Sequence, residues 1–317
     1  MKNLKKLTTI LLIFMFAAYA AIGCSSPAAE ETTVEAGRKE NSESGSDWPE
    51  SITIVQMPNE NNPDIGTIHA GFSEALSEYL GIEVKETEGA DYSVGIEAMA
   101  NEQIDVMLAS PMSYYHAKER AAAELLVSTP MAAEYRSGII TRADNDEINE
   151  LEDLEGHSFA FADQASSSGY MYPKAMLVNE LDLDTDLLEN SGYFFESVAF
   201  SGAHDASITG VVMGDYEAAA VATMVVSQMA EAGVINEDDI KIIAETDVIP
   251  NPAYVVRGGL PEDLKAKIKE FYLQFDDSAY FEEVHGDSGI RFIEVTEDDY
   301  KIIYETLEAL NIEGEVD

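Results

Sequence analysis

The sequence predicts an α/β protein whose sheets are mainly parallel. Short runs of β-branched or small residues alternate with apolar residues at helical spacing over most of the 317-residue chain, and this alternation is typical of that fold class. Gly81, Gly214 and Pro261 stand where helical patterns stop or start, as expected of helix ends. In such folds ligands bind beyond the carboxyl ends of the strands, so the loops that lead into helices are the candidate sites.

The predicted elements follow one another from about Ser51. Apolar spacing predicts helices over 68–80, 117–126, 208–212, 264–275 and 302–310. Short apolar runs predict strands at 52–56, 104–108, 138–141, 158–162, 218–222, 240–244 and 253–256.

Residues 1–23 have the features of an export signal. Lysines 2, 5 and 6 precede an apolar run that is too short to span a membrane and that ends in small residues. Cys24 follows directly, as in the bacterial lipobox, so it is predicted to carry a diacylglycerol and to begin the mature chain. The alternative is an ordinary signal in which this cysteine has no role. The Ser- and Glu-rich stretch 24–48 is predicted to be a disordered tether that holds the protein at the outer face of the cell membrane.

The composition excludes several functions. Cys24 is the single cysteine, so no intramolecular disulfide can form and the fold depends on its own core. The net charge is −43, and removal of residues 1–23, which contain three lysines and no acid, brings it to −46. So few basic residues argue against binding to nucleic acid or, by charge, to anionic lipid. The five histidines have no paired spacing and nucleotide-binding motifs are absent, so no metal and no cofactor is expected.

The strongest candidate site is the loop 161–170, which follows a predicted strand. Ser166, Ser167 and Ser168 would bring three hydroxyls, together with backbone N–H groups, to the positive end of a helix. Such an arrangement binds an oxyanion without a formal cation. The other interpretation is a Ser-rich helix cap that binds no ligand.

Two further loops could contribute side chains to the same site. His204 and Asp205 lie where a loop enters a helix, so the imidazole could donate to an anion and the carboxylate could cap the helix or orient the ring. A histidine at such a position can also be purely structural. Tyr114 follows the predicted strand 104–108, and its hydroxyl could either reach a cleft or pack in the core.

Taken in order, these segments resemble the solute-binding proteins of phosphonate, phosphite and phosphate ABC importers. The more specific matches are the stretch DQASSSGY at 163–170 and the stretch SYYHA at 113–117. The supporting matches span most of 51–300 and are Asp91-Tyr92, Ile104-Asp105-Val106, Leu154-Glu155-Gly156, His204-Asp205, Ile249-Pro250-Asn251-Pro252, Arg291-Phe292 and Asp299-Tyr300.

The resemblance implies a two-lobed, periplasmic-binding-protein-like fold of type II, in which each lobe is a mostly parallel sheet flanked by helices. Lobe one would comprise 49–140 and 253–317, lobe two would comprise 141–252, and two hinge crossings would join them. It also implies a monomer without catalytic activity that delivers its ligand to the permease and ATPase subunits of an importer.

By position, the resemblance implies that Ser166, Ser167, Ser168 and His204 hold a phosphorus oxyanion and that Tyr114 closes over it. Glu60 and Asp205 are further candidates for ligand contact. Family members that bind amino-substituted phosphonates carry acidic or polar residues where this chain has Val-Ala-Thr-Met at 221–224. A buried ammonium would have no partner there, so the predicted ligand is phosphite, methylphosphonate or phosphate.

Three alternatives stay open at this point. A tethered hydrolase would need Ser167, His204 and Asp205 to form a triad, although adjacent His and Asp side chains rarely orient each other and no nucleophile elbow is present. A sensor lobe would bind the ligand but signal to a partner instead of feeding a permease. A binding protein of this fold could also take another oxyanion or a small organic ligand.

Overall fold

The structure, a computed structural model, describes residues 47–56, 65–88, 92–130 and 134–310. The predicted export signal, Cys24 with its predicted lipid, nearly all of the predicted tether and the candidate Glu60 lie outside the described residues. No helix among the described residues is long and apolar enough to cross a membrane.

The described strands, in chain order, are β1 (Ser51–Gln56), β2 (Glu83–Glu88), β3 (Val106–Ala109), β4 (Glu124–Ser128), β5 (Ser137–Arg142), β6 (Ser158–Phe161), β7 (Ser197–Phe200), β8 (Ala218–Ala222), β9 (Ile240–Glu245), β10 (Ala253–Val256) and β11 (Ile293–Glu294). They form two sheets. The first has the order β11-β4-β10-β3-β1-β2 and the second has the order β7-β6-β8-β5-β9.

The described α-helices are α1 (Ile65–Leu80), α2 (Tyr92–Ala100), α3 (Pro111–Ala121), α4 (Tyr172–Leu181), α5 (His204–Met213), α6 (Thr223–Glu231), α7 (Glu262–Gln274), α8 (Ser278–His285) and α9 (Glu297–Ala309). A π-helical turn over Ser167–Met171 leads directly into α4. Gly81 and Gly214 follow α1 and α5 with φ of +73° and +82°, the left-handed conformation that glycine adopts at low cost at helix ends.

Each sheet is mixed but has one prevailing strand direction. In the first sheet β1 is parallel to β2 and β3, whereas β10 is antiparallel to both β3 and β4. In the second sheet β6 is parallel to β7 and β8, whereas β5 is antiparallel to β8 and β9. The predicted α/β class is confirmed, with helices flanking both sheets. Strands β10 and β11 of the first sheet and β5 of the second run opposite to the remaining strands of their sheets.

The chain passes between the sheets twice, from β4 to β5 and from β9 to β10. The two connecting segments are joined to each other, since the amide of Ile249 donates to the carbonyl of Tyr135 at 2.7 Å and the Asn251 side chain donates to Thr129 at 3.2 Å. The whole of β5 lies in the second sheet, so the predicted lobe boundary at residue 140 falls inside this strand.

One predicted boundary is wrong. The helical pattern over 117–126 was expected to continue through Leu126, but α3 ends at Ala121 and β4 begins at Glu124. Ala122 has a left-handed φ of 48°, and its N–H donates to the carbonyl of Ala117. The helix therefore stops at an alanine, without the glycine that usually marks such an end.

Small side chains allow the loops of the second sheet to approach one another closely. All five residues of β8, Ala-Ala-Ala-Val-Ala at 218–222, are buried, and β6 packs beside them with Phe159 and Phe161 also buried. A strand of alanines leaves little side-chain volume between the sheet and the helices on it. The carboxyl ends of β6, β7 and β8 thus bring the starts of three helices together.

Candidate functional site

The serine loop begins where β6 ends and closes into the π-helical turn. Ser166 is its N-cap, and its Oγ accepts a hydrogen bond from the N–H of Gly169 at 3.0 Å. Ser166, Ser167 and Ser168 are all completely buried. The first N–H groups of a helix have no intrahelical acceptor and carry the positive end of the helix dipole. Ser166 thus serves as a cap, as one of the two interpretations predicted, while the other two hydroxyls have partners outside the turn.

Ser168 lies at the centre of a cluster of hydrogen-bonding side chains. Its Oγ is 2.8 Å from the hydroxyl of Tyr135 and 3.2 Å from Nε2 of His204. Its carbonyl accepts from the hydroxyl of Ser137 at 2.5 Å, which fixes the backbone of the turn against β5. The structure therefore brings Ser166, Ser168 and His204 close together.

His204 is held as a neutral donor. It opens α5, and its Nδ1 accepts a hydrogen bond from the N–H of Ala222 at 3.2 Å. An acceptor nitrogen cannot carry the proton of a neutral imidazole, so the proton is on Nε2, the atom that faces Ser168. Burial lowers the pKa of His204 from 6.5 to about 4, so the ring is uncharged at neutral pH.

Two tyrosines of this cluster were not among the predicted site residues. Tyr92 opens α2 and has its ring centroid 6.3 Å from that of His204. Burial raises the pKa of Tyr92 above its ordinary value and that of Tyr135 to about 12, so both hydroxyls keep their protons. Asp91-Tyr92 was one of the matched segments and could have suggested Tyr92, whereas nothing in the sequence singles out Tyr135.

Ser167 faces the other way, toward the start of α3. Its Oγ accepts from the N–H of Met112 at 2.7 Å and donates to Oγ of Ser110 at 3.1 Å. Beside it, the hydroxyl of Ser113 donates to the carbonyl of Ala165 at 2.8 Å. Since α3 follows a strand of the first sheet and the serine loop follows a strand of the second, these bonds connect the two halves of the fold.

The remaining predicted side chains are directed elsewhere. Tyr114 is completely buried, its ring packs edge-on against Tyr300 at 5.6 Å, and its hydroxyl donates to Glu297. Asp205 accepts from the neighbouring N–H of Ala206. The structure therefore places neither side chain with the group around Ser168.

The hydrolase arrangement is not assembled. A triad would need a hydrogen bond from Ser167 to His204 and another from His204 to a carboxylate. The Ser167 hydroxyl is bonded to Ser110 and Met112, and the two nitrogens of His204 meet Ser168 and the N–H of Ala222.

The site thus consists of neutral donors that come from loops of both sheets, at the start of several helices. Two mixed sheets joined by two crossings, with polar loops meeting between them, are the features of a solute-binding protein of the periplasmic type. Uncharged donors in a buried site suit a small anion, because helix N-termini favour negative charge.

Comparison with known proteins identifies the family. The family model for the periplasmic substrate-binding protein of phosphonate ABC transporters matches residues 54–300. The chain belongs to this family of phosphonate-binding proteins of ABC importers.

Several relatives are similar over most of the chain. The phosphate-import protein PhnD of Mycolicibacterium smegmatis is 27% identical over 251 residues, which cover 77% of this chain and 78% of that protein. The binding component of an ABC phosphonate transporter from Pseudomonas aeruginosa has a TM-score of 0.71 at 21% identity, covering 84% and 87%. PhnD1 of Prochlorococcus marinus, solved in complex with methylphosphonate, has a TM-score of 0.70 at 21% identity, covering 83% and 98%. The two solved structures share the fold with this chain.

Proposed function

We propose that this protein captures a small phosphorus oxyanion between its two sheets and delivers it to the permease of an ABC importer. The observation that carries the proposal is the group of neutral donors around the buried Ser168, to which both halves of the fold contribute. The names of the relatives, one a phosphate-import protein and another a methylphosphonate complex, support the same ligand class.

The proposed ligand contacts are hydroxyl, imidazole and backbone N–H groups. Ser168, His204 and Tyr135 are hydrogen-bonded to one another, the ring of Tyr92 lies against that of His204, and an entering oxyanion would accept the protons of this group. The N–H groups at the start of the π-helical turn would add further donors. Each hydrogen bond to a charged oxygen contributes about 1.5–3 kcal/mol, so four or five of them suffice to hold the anion without a lysine or arginine.

The ligand is proposed to lack an amine. Ala222 and Thr223 lie beside His204, where the chain offers a buried strand end and the first turn of α6. Asp163, the carboxylate at the edge of the serine loop, already accepts from the N–H of Ala165 at 2.7 Å and from the hydroxyl of Ser93 at 3.1 Å. An ammonium group buried beside His204 would meet Ala222 and Thr223 and no carboxylate at those two positions, at a cost of several kcal/mol.

Isothermal titration calorimetry of the purified protein tests the ligand class. Phosphite, methylphosphonate and phosphate are expected to bind, and 2-aminoethylphosphonate is expected to bind more weakly than the best of them. Sulfate is the comparison anion, because it is tetrahedral but contains no phosphorus. Tightest binding of 2-aminoethylphosphonate would reject the amine argument alone. Absence of binding by every phosphorus compound would reject the proposed function.

The proposal includes the predicted organisation of the whole protein. The two lobes, 49–140 with 253–317 and 141–252, would close around the ligand, as suits a chain that crosses twice between two sheets. Cys24 would carry the lipid anchor at the outer face of the membrane, and the protein would act as a monomer without catalytic activity. Mass spectrometry of the membrane-extracted protein tests the anchor, since a diacylglycerol on Cys24 adds a defined mass to a chain that begins there.

A further inference from the structure

A row of three serine hydroxyls runs between the two halves of the site. Ser167 belongs to the loop after β6 in the second sheet, while Ser110 and Ser113 belong to the start of α3, after β3 in the first sheet. The successive oxygen–oxygen distances are 3.1 Å from Ser167 to Ser110 and 3.0 Å from Ser110 to Ser113. All three side chains are buried, two of them completely.

The direction of every bond in this row follows from the single proton on each hydroxyl. The proton of Ser113 goes to the carbonyl of Ala165 at 2.8 Å, so in the pair with Ser110 it is Ser110 that donates. The proton of Ser167 then goes to Ser110, and the Ser167 oxygen accepts from the N–H of Met112 at 2.7 Å. The row is a chain in one direction, from a backbone N–H through three hydroxyls to a backbone carbonyl, and such chains strengthen cooperatively.

The chain crosses between the two halves of the fold at three of its four bonds. It starts at Met112 on the α3 side, enters the serine loop at Ser167, returns to the α3 side at Ser110, and ends at Ala165 of the serine loop. Ser110 is also the N-cap of α3, because its Oγ accepts from the N–H of Ser113 at 3.4 Å. Opening the two halves would therefore break the three bonds that cross between them, while the cap of α3 would stay within its own half.

We propose that Ser110, Ser113 and Ser167 form a latch that favours the closed arrangement of the two halves, and that the Ser167 hydroxyl makes no bond to the ligand. The Ser167 hydroxyl faces the start of α3 and not the group around Ser168, and its proton is donated to Ser110, so this residue offers an anion beside Ser168 its backbone N–H and not its side chain. Ser110, Ser113 and Ser167 are then positioning residues. This proposal rests on the proposed function and differs from the sequence-based prediction, which counted the Ser167 side chain among the ligand contacts.

A latch and a ligand contact have different effects on affinity. Loss of the latch makes closure less favourable whichever ligand is bound, so the Kd values for phosphite, methylphosphonate and phosphate should all rise by the same factor. Loss of a donor to the ligand should change the three Kd values unequally, because the three anions present different sets of oxygens. The ratio of the Kd values therefore separates the two roles.

The test compares Ser167→Ala, Ser113→Ala and Ser168→Ala by calorimetry with the three anions. Ser167→Ala and Ser113→Ala are each expected to weaken binding about three- to ten-fold with unchanged ratios, which corresponds to the loss of about one net hydrogen bond. Ser168→Ala is expected to change the ratios. Thr296→Ala, which removes the N-cap of α9, is the control for the loss of a hydroxyl side chain at a helix N-terminus. It should leave all three Kd values unchanged. A change of ratio in Ser167→Ala, or unchanged affinity in both latch variants, would overturn the proposal.

The second measurement does not depend on the ligand. Spin labels at Glu78→Cys on α1 and Glu180→Cys on α4, both exposed positions, report the separation of the two halves by pulsed electron resonance in the ligand-free protein. Ser113→Ala and Ser167→Ala should shift the distances toward longer values, and Thr296→Ala should not. If the wild-type protein bound no phosphorus anion, the proposed function would fail, but this distance would still test the latch. Identical distances in the wild-type protein and all variants would refute the latch.

Discussion

At the scale of single residues, the site depends on where protons sit and not on formal charge. His204 carries its proton on Nε2 because the N–H of Ala222 occupies Nδ1. Tyr92 and Tyr135 keep their hydroxyl protons because burial raises the pKa of both. The protein, whose net charge is −43, thus offers an incoming anion the dipoles of neutral groups. These dipoles need no neutralising partner when the site is empty.

The state of His204 can be measured directly. We expect its imidazole to remain the neutral Nε2–H form between pH 6 and 8 and to titrate near its lowered pKa of about 4, which ¹⁵N NMR of the ring nitrogens reports. Because the folded pKa lies below 6.5, the unfolded chain takes up the proton first. The contribution of His204 to stability is therefore complete above pH 6.5 and is lost as the pH falls toward 4.

Substitutions of His204 distinguish the roles of its two ring nitrogens. Gln can place an N–H near the position of Nε2, whereas Asn places its amide near Nδ1, so His204→Gln should keep more of the ligand affinity than His204→Asn. His204→Gln should also unfold with a weaker pH dependence between pH 6.5 and 4, although His69 and His285, whose pKa values burial also lowers to about 4, retain their share. Equal affinities in the two variants would show that the Nε2 proton is not used.

Gly169 is required because a Cβ would not fit at this position, and not because of its backbone conformation. A Cβ at this position would overlap Cβ of Ala162 and lie 3.0 Å from both Cε1 of His204 and Oγ of Ser166. The backbone of the turn cannot yield without moving these groups, so Gly169→Ala should weaken phosphite binding at least ten-fold and lower the melting temperature.

The matched control is Gly71→Ala in α1, where nothing lies within 4 Å of the added Cβ. Alanine is the better helix former, by about 1 kcal/mol in a helix interior, so this variant should be as stable as the wild type or more stable and should bind normally. Differential scanning fluorimetry and calorimetry on both variants make the comparison. Normal binding by Gly169→Ala would mean that the turn tolerates displacement and that its geometry does not set the affinity.

At the scale of helices and strands, the sequence predicted several elements of the fold with their observed bounds and missed others. The strand 218–222 and the strand 253–256 were predicted with their observed bounds, because short runs of small or β-branched residues have few alternatives to a buried strand. The serine loop was predicted to open a helix, and it does so through the π-helical turn. These segments have a local sequence signal, so local reasoning found them.

The missed elements lack such a signal. The run from Ala117 to Leu126 is a continuous helix-forming sequence, and it is interrupted at Ala122 because β4 pairs with β10 and β11, partners more than a hundred residues away. Strand β2, with the sequence Glu-Val-Lys-Glu-Thr-Glu, lies at the edge of its sheet and, among the described strands, pairs with β1 alone. Edge strands carry charges that prevent further pairing, and these charges conceal them in a search for apolar runs.

Tyr135 shows the same limit in the site itself. It lies in the segment that connects β4 to β5, where no periodic pattern marks it, and its backbone is held by the N–H of Ile249 from the second crossing. Its hydroxyl reaches Ser168 only because the two crossings lie side by side. A residue placed by contacts between distant segments cannot be located from the sequence around it.

At the scale of the whole molecule, ligand capture is opposed by the charge of the protein. An anion that approaches a body with a net charge of −43 is repelled at long range and attracted only once it meets the short-range dipoles of the site. Salt screens the repulsion, since the Debye length falls from about 30 Å at 0.01 M to about 8 Å at 0.15 M. The donors of the site act within hydrogen-bond distance and are affected far less.

The association rate for phosphite should therefore rise with ionic strength, while the dissociation rate changes little. Stopped-flow tyrosine fluorescence, which can report closure around Tyr92 and Tyr135, should show at least a two-fold faster association at about 0.15 M than at about 0.01 M sodium chloride. Sodium gluconate at equal ionic strength distinguishes screening from competition, because chloride could itself occupy an anion site whereas a bulky anion is excluded. A positively charged mouth of the cleft would give the opposite result, an association rate that falls as salt is added. Local cations would then attract the anion more strongly than the net charge of the whole protein repels it.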